Sequence, residues 1–320
     1  RPDCCVNSMR IRTSIMKKTL VITGELDYTG SIKQVREGIP LLPKTTFPDT
    51  EQPLLFLLQK RGILPLWAAG QLVDRLIERT GRMPLPAGPE QVFLSPLGTD
   101  IRILPGVRSG QGAYLPPETR LSPERITDGP EAVYRLCALL FHLLSGRILS
   151  VESLRARRAD LRSGLLGGGL EMGAETALLA LLDQGLRLDP SRRFPDPGAL
   201  RTAMGEVQTI LNQAAQARLC LEGEEGQFAG ARFTLHTSFQ IGRQPGACQI
   251  LFSPHTPGVS RLHCRVELAW GAALVTDLDS RYGTFLSGIR LRPGVVTEWE
   301  PGKPLALGSE RQTFILKIIQ

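Results

Sequence analysis

The chain has 320 residues, 42% of them hydrophobic and 22% charged, with a formal net charge of +7. That length favours two cores over one, and the balance is that of a globular chain rather than a disordered one. Arginine is scattered rather than massed on one face, which argues against a nucleic-acid partner, and no apolar run reaches the roughly 18 residues a membrane span needs.

Residues 17–24 read as a β-branched strand closed by a Gly turn, and 25–52 carry several prolines that leave room only for short strands. From 53 to 80 the period is helical, with Leu54, Leu55, Leu57 and Leu58, then Leu72, Val73, Leu76 and Ile77 at helix spacing. The Pro- and Gly-punctuated stretch 81–118 holds two short apolar runs, Val92-Phe93-Leu94 and Ile101-Arg102-Ile103-Leu104, which suit a small hairpin. Residues 130–146 are the most hydrophobic helix, ended by Gly146 as its C-cap. Two more helices are expected at 175–187 and 197–213, joined by the turn Asp189-Pro190-Ser191-Arg192-Arg193-Phe194. After about 216 the period becomes two, with Gly-rich turns at the spacing of a β-sandwich. A domain boundary is therefore expected at 210–217, with no long flexible linker.

The six cysteines are Cys4, Cys5, Cys137, Cys220, Cys248 and Cys264. They form no C-x-x-C pair, so no zinc site, and no metal or cofactor, is expected. Four of them sit singly in apolar runs as small hydrophobes, which suits a reducing, cytoplasmic compartment. No signal-peptide core is found. The chain opens on Arg1, as a fragment or an upstream extension does, and Met9 and Met16 are alternative starts.

Residues 54–206 carry an ordered series of landmarks: Leu72–Thr80, Pro89-Glu90-Gln91-Val92-Phe93-Leu94, Ile101–Gly106, Pro116-Pro117-Glu118, Ala132–Leu136 and Asp189-Pro190-Ser191-Arg192-Arg193. In order and separation they resemble the C-terminal lobe of a Ser/Thr protein kinase, apart from a short activation segment between Leu104 and Glu118. Phosphoryl transfer there needs a catalytic Asp, a metal-binding Asn and a DFG Asp. The matching places hold Pro86, Gln91 and Leu104, and Gly88 stands for the loop lysine. No G-x-G-x-x-G loop precedes them, and Lys17, Lys18 and Lys33 read as solvated surface lysines. The resemblance thus implies a pseudokinase, not an enzyme, with Glu118 paired to Arg193 to hold the activation segment. The alternative is a divergent kinase with relocated catalytic residues, Asp74 and Asp100 being the nearby carboxylates.

Three polar clusters end alternating runs near the C-terminus: Gly242-Arg243, Ser260-Arg261-Leu262-His263, and Asp277-Leu278-Asp279-Ser280-Arg281-Tyr282-Gly283-Thr284 followed by Ser287-Gly288. Their order and residue types resemble the forkhead-associated (FHA) domain, a phosphothreonine-peptide reader, over residues 217–320. Phosphothreonine carries nearly two charges and three acceptor oxygens, and an arginine fork suits two of them. The resemblance implies a phosphopeptide site of Arg243, Ser260, Arg261, Arg281, Tyr282 and Ser287, with Gly242, His263 and Gly283 structural and His263 bracing the loops from behind. Tyr282 and Ser287 stand where the family has asparagines that bond the peptide main chain. Since Asn has two donors and an acceptor, phosphate dependence is expected to persist while peptide selectivity is reduced or altered.

The fold class expected is multidomain: a mainly α kinase-like lobe followed by an all-β FHA sandwich. Its parts are 1–52, left open between a vestigial kinase N-lobe and something else, 53–213 as the kinase-like lobe, and 214–320 as the FHA domain. The function expected is a cytoplasmic, bacterial signalling adaptor, its partner a phosphothreonine-containing protein such as a Ser/Thr kinase or a kinase substrate. Thr80, Thr119 and Thr127 are candidate ligands in cis.

Overall fold

The computed structural model describes residues 52–79, 85, 88–94, 101–103, 114–119, 129–148, 172–236, 238–308 and 312–319. The expected N-lobe up to 51, with its strand and lysines, lies outside them, as do Cys4, Cys5, Thr80, Pro86, Asp100, Leu104 and Thr127.

The helical stretch 53–80 is two helices, α1 (Leu54–Arg61) and α2 (Leu66–Ile77). Gly62, at φ +80°, takes the left-handed conformation that ends α1, and Pro65 precedes α2. β2 (Val92–Leu94) and β3 (Ile101–Ile103) form the expected hairpin, with Val92 opposite Ile103, and β1 (Gln52–Pro53) adds a third strand. α3 (Pro130–Ser145) is buried from Ala132 through Leu144. Its N1 proline has no N–H to leave unpaired, and Glu131 in the first turn suits the positive end of the helix. Gly146, at φ +67°, ends it by donating its N–H to His142 O at 2.8 Å. α4 (Met172–Gly185) packs on α3 through Gly185, where a Cβ would lie 2.2 Å from Cys137 Sγ. Burial pushes that thiol up to about 12.

Arg193 follows the 3₁₀ turn Pro190–Arg192, and its side chain is 0% exposed. It forks onto Glu118 at 2.5 and 3.1 Å and donates to the carbonyls of Arg187, Leu188 and Pro130 at 2.6, 3.1 and 3.2 Å. All five guanidinium N–H groups are therefore used, and the group also lies 4.9 Å from the Tyr134 ring centroid. The Asp-Pro turn and the Pro-Pro-Glu segment are thus clamped to the N-terminus of α3.

α5 (Pro197–Arg218), capped by Asp196 Oδ1 accepting from Ala199 N at 2.8 Å, does not stop near 213. It continues because Leu211, Asn212 and Ala215 are buried, and it passes straight into β4 (Leu219–Glu225). The sandwich adds β5 (Arg232–Thr234), β6 (Ser238–Gly242), β7 (Ile250–Leu251), β8 (Leu262–Ala269), β9 (Ala272–Asp277), β10 (Thr284–Leu286), β11 (Ile289–Arg290), β12 (Thr297–Glu298), β13 (Pro304–Leu307) and β14 (Thr313–Ile318). One sheet runs β11-β10-β13-β14-β4-β5 and the other β12-β9-β8-β6-β7, with only β6–β7 parallel. Leu221, Ile241, Val266, Val275, Trp299, Leu305, Leu307, Phe314 and Leu316 fill the space between them.

Residues 48–320 belong to one compact unit, and the contacts that join its two halves are specific. β8 and β9 are linked by Trp270 and Gly271, at φ 53° and 77°, both left-handed as a two-residue hairpin turn of the primed kind requires. Trp270 is only 5% exposed and shares a core with α2, α3 and α5. Its indole sits where α2 has Gly70: a Cβ there would meet Trp270 Cε2 at 2.2 Å. Asn212 on α5 brackets the same turn, its amide donating to Leu268 O at 3.1 Å while its oxygen accepts from Gly271 N at 2.9 Å. Trp67 Nε1 donates to Glu298 Oε2 at 2.9 Å across the junction.

Two substitutions test these contacts by thermal or urea unfolding. Gly→Ala in an ordinary helix interior gains about 1 kcal/mol; Gly70→Ala is expected to destabilise instead, because the indole has no room to move. Glu118→Ala, which strands two N–H groups of a buried guanidinium, is expected to cost about 3–5 kcal/mol and to lower the melting temperature of the helical part.

Candidate functional site

β6 ends in a register shift between Ile241 and Gly242, and Gly242 is required there. A Cβ on it would fall 2.2 Å from Arg261 O and 3.0 Å from Cys248 Sγ. The close approach lets Arg261 O accept from Arg243 N at 2.9 Å and Gln244 N at 3.0 Å, tying the loop after β6 to the loop before β8. The Arg243 side chain continues the tie, with Nε donating to Val259 O at 2.5 Å and Nη1 to Pro254 O. Of five guanidinium donors, the remaining three have no partner among the described residues.

His263 is 0% exposed and joins the next two loops. Its Nδ1 accepts from Ser260 N at 2.9 Å, so the proton lies on Nε2, which is 3.1 Å from Gly283 O. Burial holds its pKa below the ordinary value, with Gly283 and Asp277 opposing more weakly. The imidazole is neutral, and both ring nitrogens are used. Gly283 O also accepts from Gly308 N at 2.8 Å. Ser260 Oγ accepts from Arg281 N at 3.0 Å and keeps its own O–H free to donate.

Asp277, 1% exposed, holds the third loop from within. Its carboxylate accepts from Ser280 N at 3.1 Å, Ser280 Oγ at 2.6 Å and Thr284 Oγ1 at 2.5 Å. Its charge is thereby spent inside the protein, away from any anion at the surface. The sequence reading places Asp277 in the cluster but gives it no role; the signal for one is Asp followed by Ser at i+3, the spacing of a local side-chain-to-backbone turn.

The structure thus gathers Arg243, Ser260, Arg281, His263 and Gly283 into one chain of hydrogen bonds at one end of the sandwich, with Gly242 giving the close approach beside it. Arg261 joins it through its carbonyl, with its side chain exposed. Tyr282 is 52% exposed, with the Arg281 guanidinium 5.4 Å from its ring centroid. Ser287 sits apart from the chain of bonds, at φ 50° in a two-residue turn with Gly288 at φ 78°. Its N–H donates to Pro304 O at 2.8 Å, so the residue is held by its backbone while its side chain is exposed. Glu118 and Arg193 pair with each other in the helical part, not here. No group of three or more metal-ligating side chains occurs among the described residues, and no helix among them is long and apolar enough to cross a membrane.

The family profile described as "FHA domain" matches residues 239–308, the span that holds all three loops. Residues 239–308 form an FHA domain. The chain is similar to solved FHA domains that it covers almost end to end. One is that of the CT664 protein from Chlamydia trachomatis (23% identity, 32% of this chain and 99% of that one, TM-score 0.29). Another is that of a hypothetical protein of Arabidopsis thaliana (22% identity, 33% and 89%, TM-score 0.30). A third is the MEK1 FHA domain in complex with a phosphothreonine peptide of HOP1 (20% identity, 32% and 97%, TM-score 0.26). Comparison with curated proteins finds no match.

His263 links this FHA site to acidity. A histidine with a lowered folded value contributes stability that is present above the unfolded value, about 6.5, and lost as pH falls below it. His142, buried in the helical part and also lowered by desolvation, acts in the same direction. Wild type is therefore expected to lose stability steeply below about pH 6.5, and His263→Gln to show a shallower slope over the same window in urea melts.

Proposed function

We propose that the chain is a non-catalytic phospho-signalling adaptor that binds phosphothreonine-containing proteins through its FHA domain. The observation that carries this reading is a set of donors on braced loops with no partner among the described residues: three N–H groups of Arg243 and the Ser260 hydroxyl, both residues half-buried, and the exposed Arg261 and Arg281 guanidinium groups. A phosphate dianion offers three acceptor oxygens to such a set, and charge-assisted bonds are about twice as strong as neutral ones. The carboxylate bonded into these loops among the described residues, Asp277, is buried and accepts three hydrogen bonds from within the loop. The family's ligand class, seen in the MEK1 complex, is the same.

The helical part is proposed as a pseudokinase lobe for docking or regulation, in the cytoplasm. The ordered landmarks support it, as does the Glu118–Arg193 clamp joining two of them. Of the two carboxylates available to a relocated active site, Asp74 is held bidentately by Arg201 at 2.6 and 3.0 Å. The buried thiols Cys137, Cys248 and Cys264 are free, which suits a reducing compartment.

Fluorescence anisotropy with degenerate phosphothreonine peptides tests the FHA reading. Arg243→Ala and Ser260→Ala are each expected to weaken binding by about tenfold or more, and dephosphorylated peptides to bind neither wild type nor variant. Equal binding by wild type and Arg243→Ala would sink the proposal.

A further inference from the structure

The chain has three tryptophans, Trp67, Trp270 and Trp299. Two of their indole N–H groups are bonded, Trp67 Nε1 to Glu298 Oε2 at 2.9 Å and Trp299 Nε1 to Lys303 O at 2.7 Å. Trp270 is only 5% exposed, yet its N–H has no acceptor among the described residues. Buried indoles ordinarily find an acceptor, because a donor taken out of water and left unpaired is costly. This indole lines a cavity of about 300 Å³ between α2, α5 and the β8–β9 turn. Its Nε1 edge lies against Gly70, where a Cβ would come within 2.5 Å of that nitrogen, and the next residue of α2, Gln71, is in the cavity wall.

The rest of the lining combines apolar surface with unused polar edges. Met204 on α5, 2% exposed, adds a thioether beside the indole. Gln71 comes from α2 and Gln208 from α5, and neither amide has a partner among the described residues. Each amide carries donors and an acceptor side by side. A mostly enclosed apolar surface with a few convergent polar groups is the make-up of a small-molecule site, and the volume stands at the small end of that class. Gly205, exposed on α5, leaves the approach open, since nothing lies within 4 Å of the place its Cβ would take. At the rim, Arg201 is held by Asp74 at 2.6 and 3.0 Å and by Glu78 at 2.8 Å. Two carboxylates against one guanidinium make that rim net negative, which disfavours an anion.

We propose that this cavity binds a small, planar, uncharged heterocycle with an amide-type edge, of the size of nicotinamide or a nucleobase. The ring packs beside the Trp270 indole and the Met204 thioether. Its edge pairs with the amides of Gln71 and Gln208, and a carbonyl or ring nitrogen accepts from Trp270 Nε1. The rim selects against the same ring carrying a carboxylate or a phosphate. Because α2 and α5 belong to the helical part and Trp270 to the sandwich, a bound molecule touches both halves and stabilises their joint.

The full chain, isotope-labelled at its indole nitrogens, is titrated with nicotinamide and with adenine and followed by NMR through the indole N–H signals. Those of Trp67 and Trp299 are identified by their loss in Trp67→Phe and Trp299→Phe, which leaves that of Trp270. Both probes are expected to shift the Trp270 signal saturably at millimolar concentration. Nicotinate, the same ring with a charge and no amide donor, is expected to bind about tenfold more weakly. Gly205→Leu fills the approach at a helix position where glycine is itself unfavourable, so the fold is kept and the shift is expected to vanish. Gln208→Ala is expected to weaken binding by about tenfold. No shift of the Trp270 signal with either probe, equal binding of nicotinate, or an unchanged response in Gly205→Leu overturns the proposal. Equal shifts of all the indole signals overturn it too, since they mark binding without a site.

Discussion

The contact of Trp270 with Gly70 turns a helical bundle and a β-sandwich into one body. An indole at the tip of a β-hairpin can bury itself only where the partner helix lacks a side chain, and α2 offers that place at a single glycine. The tryptophan accepts a left-handed backbone to reach it, a conformation a bulky residue seldom adopts without a surrounding structure that demands it. Asn212 supplies the demand by bonding both flanks of the turn. α5 then has no freedom to end before the sandwich begins, which is why it carries through to Arg218.

The same hairpin organises the three polar loops at its other end. β8 starts beside His263 and finishes at Ala269, next to the docked turn; about 3.3 Å per residue puts roughly 20 Å between the two ends. The helical part therefore grips the sandwich away from these loops. The loops are held by groups that present no net charge to the surface: a neutral imidazole, a buried, hydrogen-bonded carboxylate and backbone amides. Buried polar groups are stable only when every partner is in place, and here both ring nitrogens of His263 are bonded. Charge is kept for the rim, where Arg243, Arg261, Arg281 and Arg290 have donors without a partner among the described residues.

In the helical part the governing group is again one fully satisfied polar side chain. Arg193 places all five donors on Glu118 and on carbonyls from two segments, with Tyr134 beneath it. A guanidinium buried this way defines where three turns of chain must meet, because moving any of them leaves an N–H unpaired.

The sequence by itself determined the parts whose physics is local. Helical and two-residue periods separate the two halves and Gly146 marks a helix end, while Gly242-Arg243 and Ser260-Arg261-Leu262-His263 were legible through a family resemblance, which also implied the bracing role of His263. Glu118 and Arg193 were legible only as an ordered resemblance, and the number of bonds each makes was not. Tertiary structure alone decided the rest: that α5 crosses the expected boundary, that Trp270 docks on Gly70 and that Arg290 lies over Gly283. In each case two residues meet because strands or helices far apart in the chain pack side by side. No local pattern encodes such meetings, since each residue taken alone reads as an ordinary surface arginine, helix glycine or turn aromatic.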